Sequence, residues 1–216
     1  MNFNERRAWG PAPRYPKVLA VPKTPLEFMM VAGPCSIESA DQISVVAEEL
    51  KRLGVTWMRG GVYRGGTYPP AWTDYSWMQY QLLHDWSRIT APLGIKMVIE
   101  VIDMRELETI DQCADAFQVG ARQMQNYGLL RALSGTDKTV ILKRNMGATL
   151  DEFLGAAEYL LSHPRYTPKV VLVERGSSTH MNHVRWDLSM STIAAVKRTT
   201  GLPILVDASH GTGRRD

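Results

Sequence analysis

The 216-residue sequence predicts an α/β fold, a (β/α)8 barrel of which it covers about seven strands. Three observations carry that expectation. Short β-branched and aliphatic runs alternate with stretches of helical apolar spacing from about residue 28 onward, the pattern of a parallel sheet with helical crossovers. No Gly-x-Gly-x-x-Gly follows the first run, so the alternative, an open dinucleotide-binding sheet, loses support. Ionisable residues stand at the C-terminal end of nearly every run, where barrels present their chemistry.

Residues 1 to about 25 are rich in Pro, Arg and aromatics and predict an arm or an edge hairpin. Residues 26–216 predict one barrel domain, incomplete at its C-terminal end. Phe28 to Gly33 is a buried strand ending in glycine. Ala40 to Leu53 is a helix, with Ile43, Val46, Ala47, Leu50 and Leu53 on its apolar stripe and Gly54 as its stop. Val55 to Tyr63 is the second strand and Trp77 to Ile89 the next helix. Lys96 to Val101, Ala116 to Gly120, Thr139 to Lys143, Lys169 to Val173 and Pro203 to Val206 complete seven strands. The helices between them are Arg105 to Cys113, one near Leu129 to Ser134, Leu150 to Ser162 and Asp187 to Thr199.

Bulk properties narrow the function. A hydrophobic content of 44% and a mean hydropathy of −0.20 describe an ordinary globular chain with a sizeable core. The net charge of +3 comes from scattered Lys and Arg, so nucleic acid is not an expected partner. Cys35 and Cys113 are too few for a disulfide framework. No secretory signal opens the chain and no run has membrane-spanning length, so the expected location is the reducing cytoplasm, away from membranes.

The strand ends carry Cys35, Arg59 with Arg64, Glu100 with Asp103, Arg122, Lys143 with Arg144, Glu174 with Arg175, and Asp207 with His210. Six cations converging on one barrel mouth would repel one another without anionic ligands. Phosphates and carboxylates are the natural partners of such a cluster. The bland alternative is ion pairing with Glu100, Asp103 and Glu174, which cannot neutralise the whole set. Cys35 and His210, at the ends of the first and seventh strands, suit a divalent transition metal. A Cys–His nucleophile pair oriented by Asp207 is the competing chemistry.

Six motifs stand in register. They are Ala32-Gly33-Pro34-Cys35-Ser36-Ile37-Glu38-Ser39, Arg59-Gly60-Gly61, Gly120-Ala121-Arg122-Gln123-Met124-Gln125-Asn126, Leu142-Lys143-Arg144-Asn145-Met146, Glu174-Arg175-Gly176 and Asp207-Ala208-Ser209-His210. In order and spacing they resemble the 3-deoxy-D-arabino-heptulosonate 7-phosphate (DAHP) synthases, in the branch near the 3-deoxy-D-manno-octulosonate 8-phosphate (KDO8P) synthases. The resemblance implies a (β/α)8 barrel and an aldol-like condensation of phosphoenolpyruvate (PEP) with a sugar phosphate. Erythrose 4-phosphate is the expected acceptor, giving DAHP at the first step of the shikimate pathway, and arabinose 5-phosphate is the alternative. It further implies that Arg59, Arg122, Lys143 and Arg175 hold PEP, and that Cys35 and His210 ligate a divalent metal, Mn²⁺ or similar. Lys143, His210 and Cys35 are thereby the expected catalytic residues. A homo-oligomer, dimer or tetramer, is expected.

Two departures bear on the acceptor. Where many DAHP synthases have Lys-Pro-Arg-Thr-Ser-Pro, this chain has Arg64-Gly65-Gly66-Thr67-Tyr68-Pro69. Arg64 replaces the Lys and Thr67 remains, so both are expected substrate-binding residues, but the Arg is missing at Gly66. After Glu174-Arg175-Gly176, where an Arg is common in the family, the chain reads Ser177-Ser178-Thr179-His180; Arg185, the N-terminal arm and a neighbouring subunit are the candidate sources of a compensating cation. The family's remaining metal ligands, a Glu and an Asp, are expected beyond Asp216. Two other functions stay open: an anion-binding barrel without turnover, and a Schiff-base aldolase using Lys143. Trp57, Trp72, Trp77 and Trp86 are expected to be packing residues, and His180 and His183 solvated loop residues.

Overall fold

The computed structural model describes residues 15–21, 29–62, 76–164, 169–180 and 182–211. These form two compact units, Glu27–Val119 and a second made of Met1–Leu26 with Gly120–Asp216.

The Glu27–Val119 unit is built on four strands, β1 (Val31–Ala32), β2 (Trp57–Gly60), β3 (Lys96–Val101) and β4 (Ala116–Val119). They pair in parallel and in chain order, with Val31 beside Trp57, Trp57 beside Lys96 and Val98 beside Ala116. Parallel neighbours need helical crossovers, which α2 (Ala40–Arg52), α3 (Ser76–Thr90) and α4 (Leu107–Asp111) supply. Ser39 caps α2 by accepting from the Gln42 backbone N–H, and Gly54 ends that segment at φ +72°. Ile43, Ala47 and Leu50 of α2, Leu83 and Trp86 of α3, and Met58, Val98, Ile99 and Phe117 of the strands form the core. Gly33, at the end of β1, has φ +146°, and a Cβ there would lie 2.2 Å from the Arg59 carbonyl oxygen. Only glycine permits that approach of β1 to β2.

In the second unit β5 (Thr139–Lys143), β6 (Val170–Glu174) and β7 (Ile204–Val206) pair in parallel, again in chain order. Helices α5 (Tyr127–Leu133), α6 (Leu150–Leu160) and α7 (Met190–Thr199) accompany them, and α8 (Ala208–Gly211) is one turn after β7. Thr149 and Glu152 form a reciprocal capping box at the start of α6. The core includes Leu129, Leu130, Leu133, Val140, Leu142, Phe153, Leu154, Leu160 and Leu172.

The structure corrects three local expectations. The segment read as an arm or hairpin contains a helical turn, α1 (Pro16–Ala20), packed on α6. The Glu158 carboxylate accepts from the Lys17 and Val18 backbone N–H groups at 3.0 and 2.8 Å, satisfying donors that a short helix cannot pair internally. The helix expected from Arg105 opens instead as a 3₁₀ turn, Met104–Glu106, because Asp103 accepts from the Arg105 backbone N–H at its start. The helix expected from Asp187 begins at Met190, because Asp187 pairs with Ser177 in an isolated antiparallel bridge. The strand boundaries at Lys96–Val101 and Thr139–Lys143 match the sequence pattern.

Candidate active site

Each unit carries its own set of strand-end side chains. In the Glu27–Val119 unit, β2 carries Arg59 as its penultimate residue, which is 9% exposed. Its Nη1 donates to the Pro34 carbonyl at 3.0 Å and its Nη2 to Glu100 Oε2 at 3.2 Å. Its Nε is buried with no hydrogen-bond partner. Gly61 lies between the Cys35 carbonyl and Glu100, either of which would stand 3.5 Å from a Cβ at that position. Cys35 is exposed in the turn after β1, and neither cysteine is in a disulfide. Beyond β3, Arg105 pairs with Asp103, whose carboxylate the Arg105 side-chain and backbone hydrogen bonds hold at a pKa of about 2.

The second unit holds a denser set. Lys143, the last residue of β5, donates from Nζ to Asp207 Oδ2 at 2.8 Å. The same oxygen lies 2.8 Å from His210 Nδ1, while Asp207 Oδ1 accepts from the His210 backbone N–H at 3.1 Å. The short turn of α8 brings His210 back over Asp207 in this way. Burial pushes the Asp207 pKa up, but the His210 hydrogen bond and the Lys143 charge outweigh it and hold the carboxyl below its ordinary range.

Arg175 follows β6 and is only 7% exposed. Its Nη1 is buried without a hydrogen-bond partner, and its Cζ lies 4.9 Å from the Trp186 ring centroid. Its pKa is lowered by burial first, with the charges of Arg122 and Arg185 acting the same way and Asp207 opposing them. Arg122 sits in the 3₁₀ turn Ala121–Gln123. Asn145 ties that turn to the end of β5, donating from Nδ2 to the Ala121 carbonyl at 3.2 Å. A buried guanidinium with an unmet donor, facing further cations, is a site shaped for an anion.

Arg144 leaves this cluster. Counted in sequence among the converging cations, it is instead 3% exposed and pairs two-pronged with Glu174, Nε to Oε2 at 2.6 Å and Nη2 to Oε1 at 2.8 Å. Its Nη1 donates to the Ala148 carbonyl, and Glu174 Oε1 also accepts from the Gly176 backbone N–H. The pair braces the ends of β5 and β6. Glu100 and Asp103 are likewise engaged by arginines, so ion pairing accounts for part of the strand-end charge, as expected.

The structure thus gathers Lys143 and His210 on one carboxylate and sets Arg175 within the field of Arg122. Cys35 and Arg59 belong to the other unit. Arg64 and Thr67 lie outside the described residues. Trp186 belongs to none of the six motifs; its signal in the sequence is the Arg185-Trp186 pair downstream of Glu174-Arg175-Gly176. Trp86 is fully buried packing, and His180 and His183 are exposed. Among the described residues no group of three or more His, Cys, Asp or Glu side chains is arranged to hold a metal. A catalytic metal normally keeps three protein ligands, so these residues alone do not make that set.

Comparison with known proteins agrees with the motifs. A phospho-2-dehydro-3-deoxyheptonate aldolase of Thermotoga maritima is 35% identical over 189 residues, covering 88% of this chain and 54% of the relative. A 2-dehydro-3-deoxyphosphooctonate aldolase of Bradyrhizobium diazoefficiens is 28% identical over 189 residues, covering 86% and 66%. The crystal structure of the Thermotoga maritima phospho-2-dehydro-3-deoxyheptonate aldolase (DAHP synthase) superposes with a TM-score of 0.79 over 88% of this chain and 53% of that one. A truncated form of 3-deoxy-D-arabino-heptulosonate 7-phosphate synthase from the same organism gives 0.76 over 88% and 66%. The chain therefore spans about half the length of the first of these relatives, and its fold class is the α/β barrel of the DAHP synthases. The DAHP synthetase I family model matches residues 24–216, and the chain belongs to that family.

Proposed function

We propose that the protein condenses PEP with a phosphorylated aldose, erythrose 4-phosphate giving DAHP. The observation that carries this reading is Arg175: a buried guanidinium with an unmet donor, within the electrostatic reach of Arg122 and against Trp186. The phosphate of PEP would satisfy that donor. Family membership supports the same chemistry.

In the reaction the methylene carbon of PEP bonds to the aldehyde carbon. Water adds to the former enol carbon, the bond from that carbon to the phosphate oxygen breaks, and inorganic phosphate leaves. Arg122 and Arg175 hold the phosphate and stabilise the charge that grows on it as it departs. Lys143, an ammonium donor beside Asp207, orients the same substrate. Arg59 keeps the PEP-binding role that its motif implies, as do Arg64 and Thr67 for the substrates. The Schiff-base alternative loses support, because Lys143 Nζ is ion-paired with Asp207 and a Schiff base needs a neutral amine.

DAHP synthases are generally metal-dependent. Cys35 and His210 are the positions we assign to a divalent ion such as Mn²⁺, which would polarise the aldehyde. The motif match supports both. The Asp207 contact at His210 Nδ1 supports the second, since a ligating imidazole is commonly oriented by a carboxylate on its other nitrogen. A homo-oligomer in the reducing cytoplasm completes the reading; no helix of the described residues is long and apolar enough to cross a membrane.

Loss of enolpyruvate absorbance with PEP, erythrose 4-phosphate and Mn²⁺ tests the proposal. Consumption only with arabinose 5-phosphate would move the acceptor to the KDO8P type. PEP binding without turnover would leave an anion-binding barrel.

A further inference from the structure

Two guanidiniums stand against one indole. Arg175 Cζ is 4.9 Å and Arg185 Cζ 5.1 Å from the Trp186 ring centroid. Each stacks favourably on the ring, but the two repel one another, and Arg122 adds a third positive charge. The two carboxylates that act on Arg175 are already engaged, Asp207 by Lys143 and His210, Glu174 by Arg144.

The backbone holds this arrangement in place. Ser177 and Asp187 exchange backbone hydrogen bonds of 2.8 and 3.0 Å, which pins residue 187 beside the strand end. Gly176 has φ +97°, and a Cβ there would meet Trp186 Cβ at 2.9 Å. The missing side chain at 176 is what lets the indole seat itself next to Arg175. Trp186 is half-buried and Arg185 exposed, so the stack runs from a buried guanidinium with an unmet Nη1 donor to a solvent-facing one.

We propose that Arg185, held on Trp186, is a phosphate-gripping residue: with Arg175 it closes on the phosphoryl dianion of the phosphoenol substrate from the solvent side. This rests on the PEP reading above. A tetrahedral dianion offers oxygens to both planar forks at once, satisfying Arg175 Nη1 and relieving the repulsion between the arginines.

Calorimetric titration with PEP and with inorganic phosphate tests it on the wild type and on Arg185→Gln, Trp186→Phe, Arg175→Lys and Arg198→Gln, with thermal melts to verify folding. Arg185→Gln should weaken both anions about tenfold, the loss of one charge-assisted contact. Trp186→Phe, which keeps a π-face, should stay within about threefold. Arg198→Gln, an equal charge change at an exposed position of helix α7, should leave binding unchanged. In turnover, Arg185→Gln should raise KM for PEP and spare kcat. Binding unaltered by Arg185→Gln but lost in Arg175→Lys overturns this inference and leaves the anion site standing. A folded wild type that binds neither anion overturns both readings.

Discussion

Arg144 and Glu174 form a two-pronged ion pair, 2.6 and 2.8 Å, in which the glutamate is entirely buried. It joins the ends of β5 and β6, the two strands that deliver Lys143 and Arg175. Glu174→Ala leaves a buried, unpaired guanidinium and an unmet Gly176 N–H. We expect a loss of about 3–5 kcal/mol in unfolding free energy, read by urea denaturation. A loss below about 1 kcal/mol would show that the pair is not a structural brace.

Asp207 joins Lys143 to His210 through a single oxygen. Asp207→Asn removes the charge that orients both, and turnover should fall about 10–100-fold, as for carboxylates that support a functional histidine. The pH dependence has a defined sign. Because the folded carboxyl titrates below its ordinary range, its stabilisation is fully present above about pH 4 and is lost as the pH falls further. The wild type should therefore lose stability relative to Asp207→Asn between about pH 4 and pH 2. Parallel acid unfolding curves for the two proteins would rule this out.

Glu106 has the opposite sign. Burial, then the neighbouring Asp103 carboxylate, push its pKa up to about 7, with Arg105 opposing, and its Oε2 is buried with no hydrogen-bond partner. The folded state holds a proton that the unfolded chain releases near pH 4.3, so stability falls as the pH rises from about 4.3 to 7. Glu106→Gln should raise the melting temperature at pH 8 and change it little at pH 4. Equal effects at both pH values would contradict the assignment.

Gly33 makes room for Arg59. A methyl group there would collide with the Arg59 carbonyl at 2.2 Å, on a backbone at φ +146°. Gly33→Ala should cost about 1–3 kcal/mol and shift Arg59 from Pro34 and Glu100, weakening PEP binding as well as stability. Unchanged thermal stability would show that β1 can move aside freely.

Local sequence was sufficient for the elements and for the family. Apolar runs ending in glycine or charge located the seven strands, and spacing located the longer helices, because these follow from burial on one face and from caps next in sequence. The motifs likewise singled out Arg59, Arg122, Lys143, Arg175, Asp207 and His210 as the candidates for the anion and metal sites proposed above, since such chemistry demands particular side chains wherever they stand. Their partners were not legible. Lys143 and Asp207 are 64 residues apart, Arg144 and Glu174 are 30, and nothing local distinguishes an arginine that a buried carboxylate will claim from one left to a ligand. Charge pairing depends on distance and burial after folding, which sequence order does not encode. Hence only the tertiary structure withdrew Arg144 from the anion cluster, set Asp207 between Lys143 and His210, and seated Trp186 against Arg175 and Arg185.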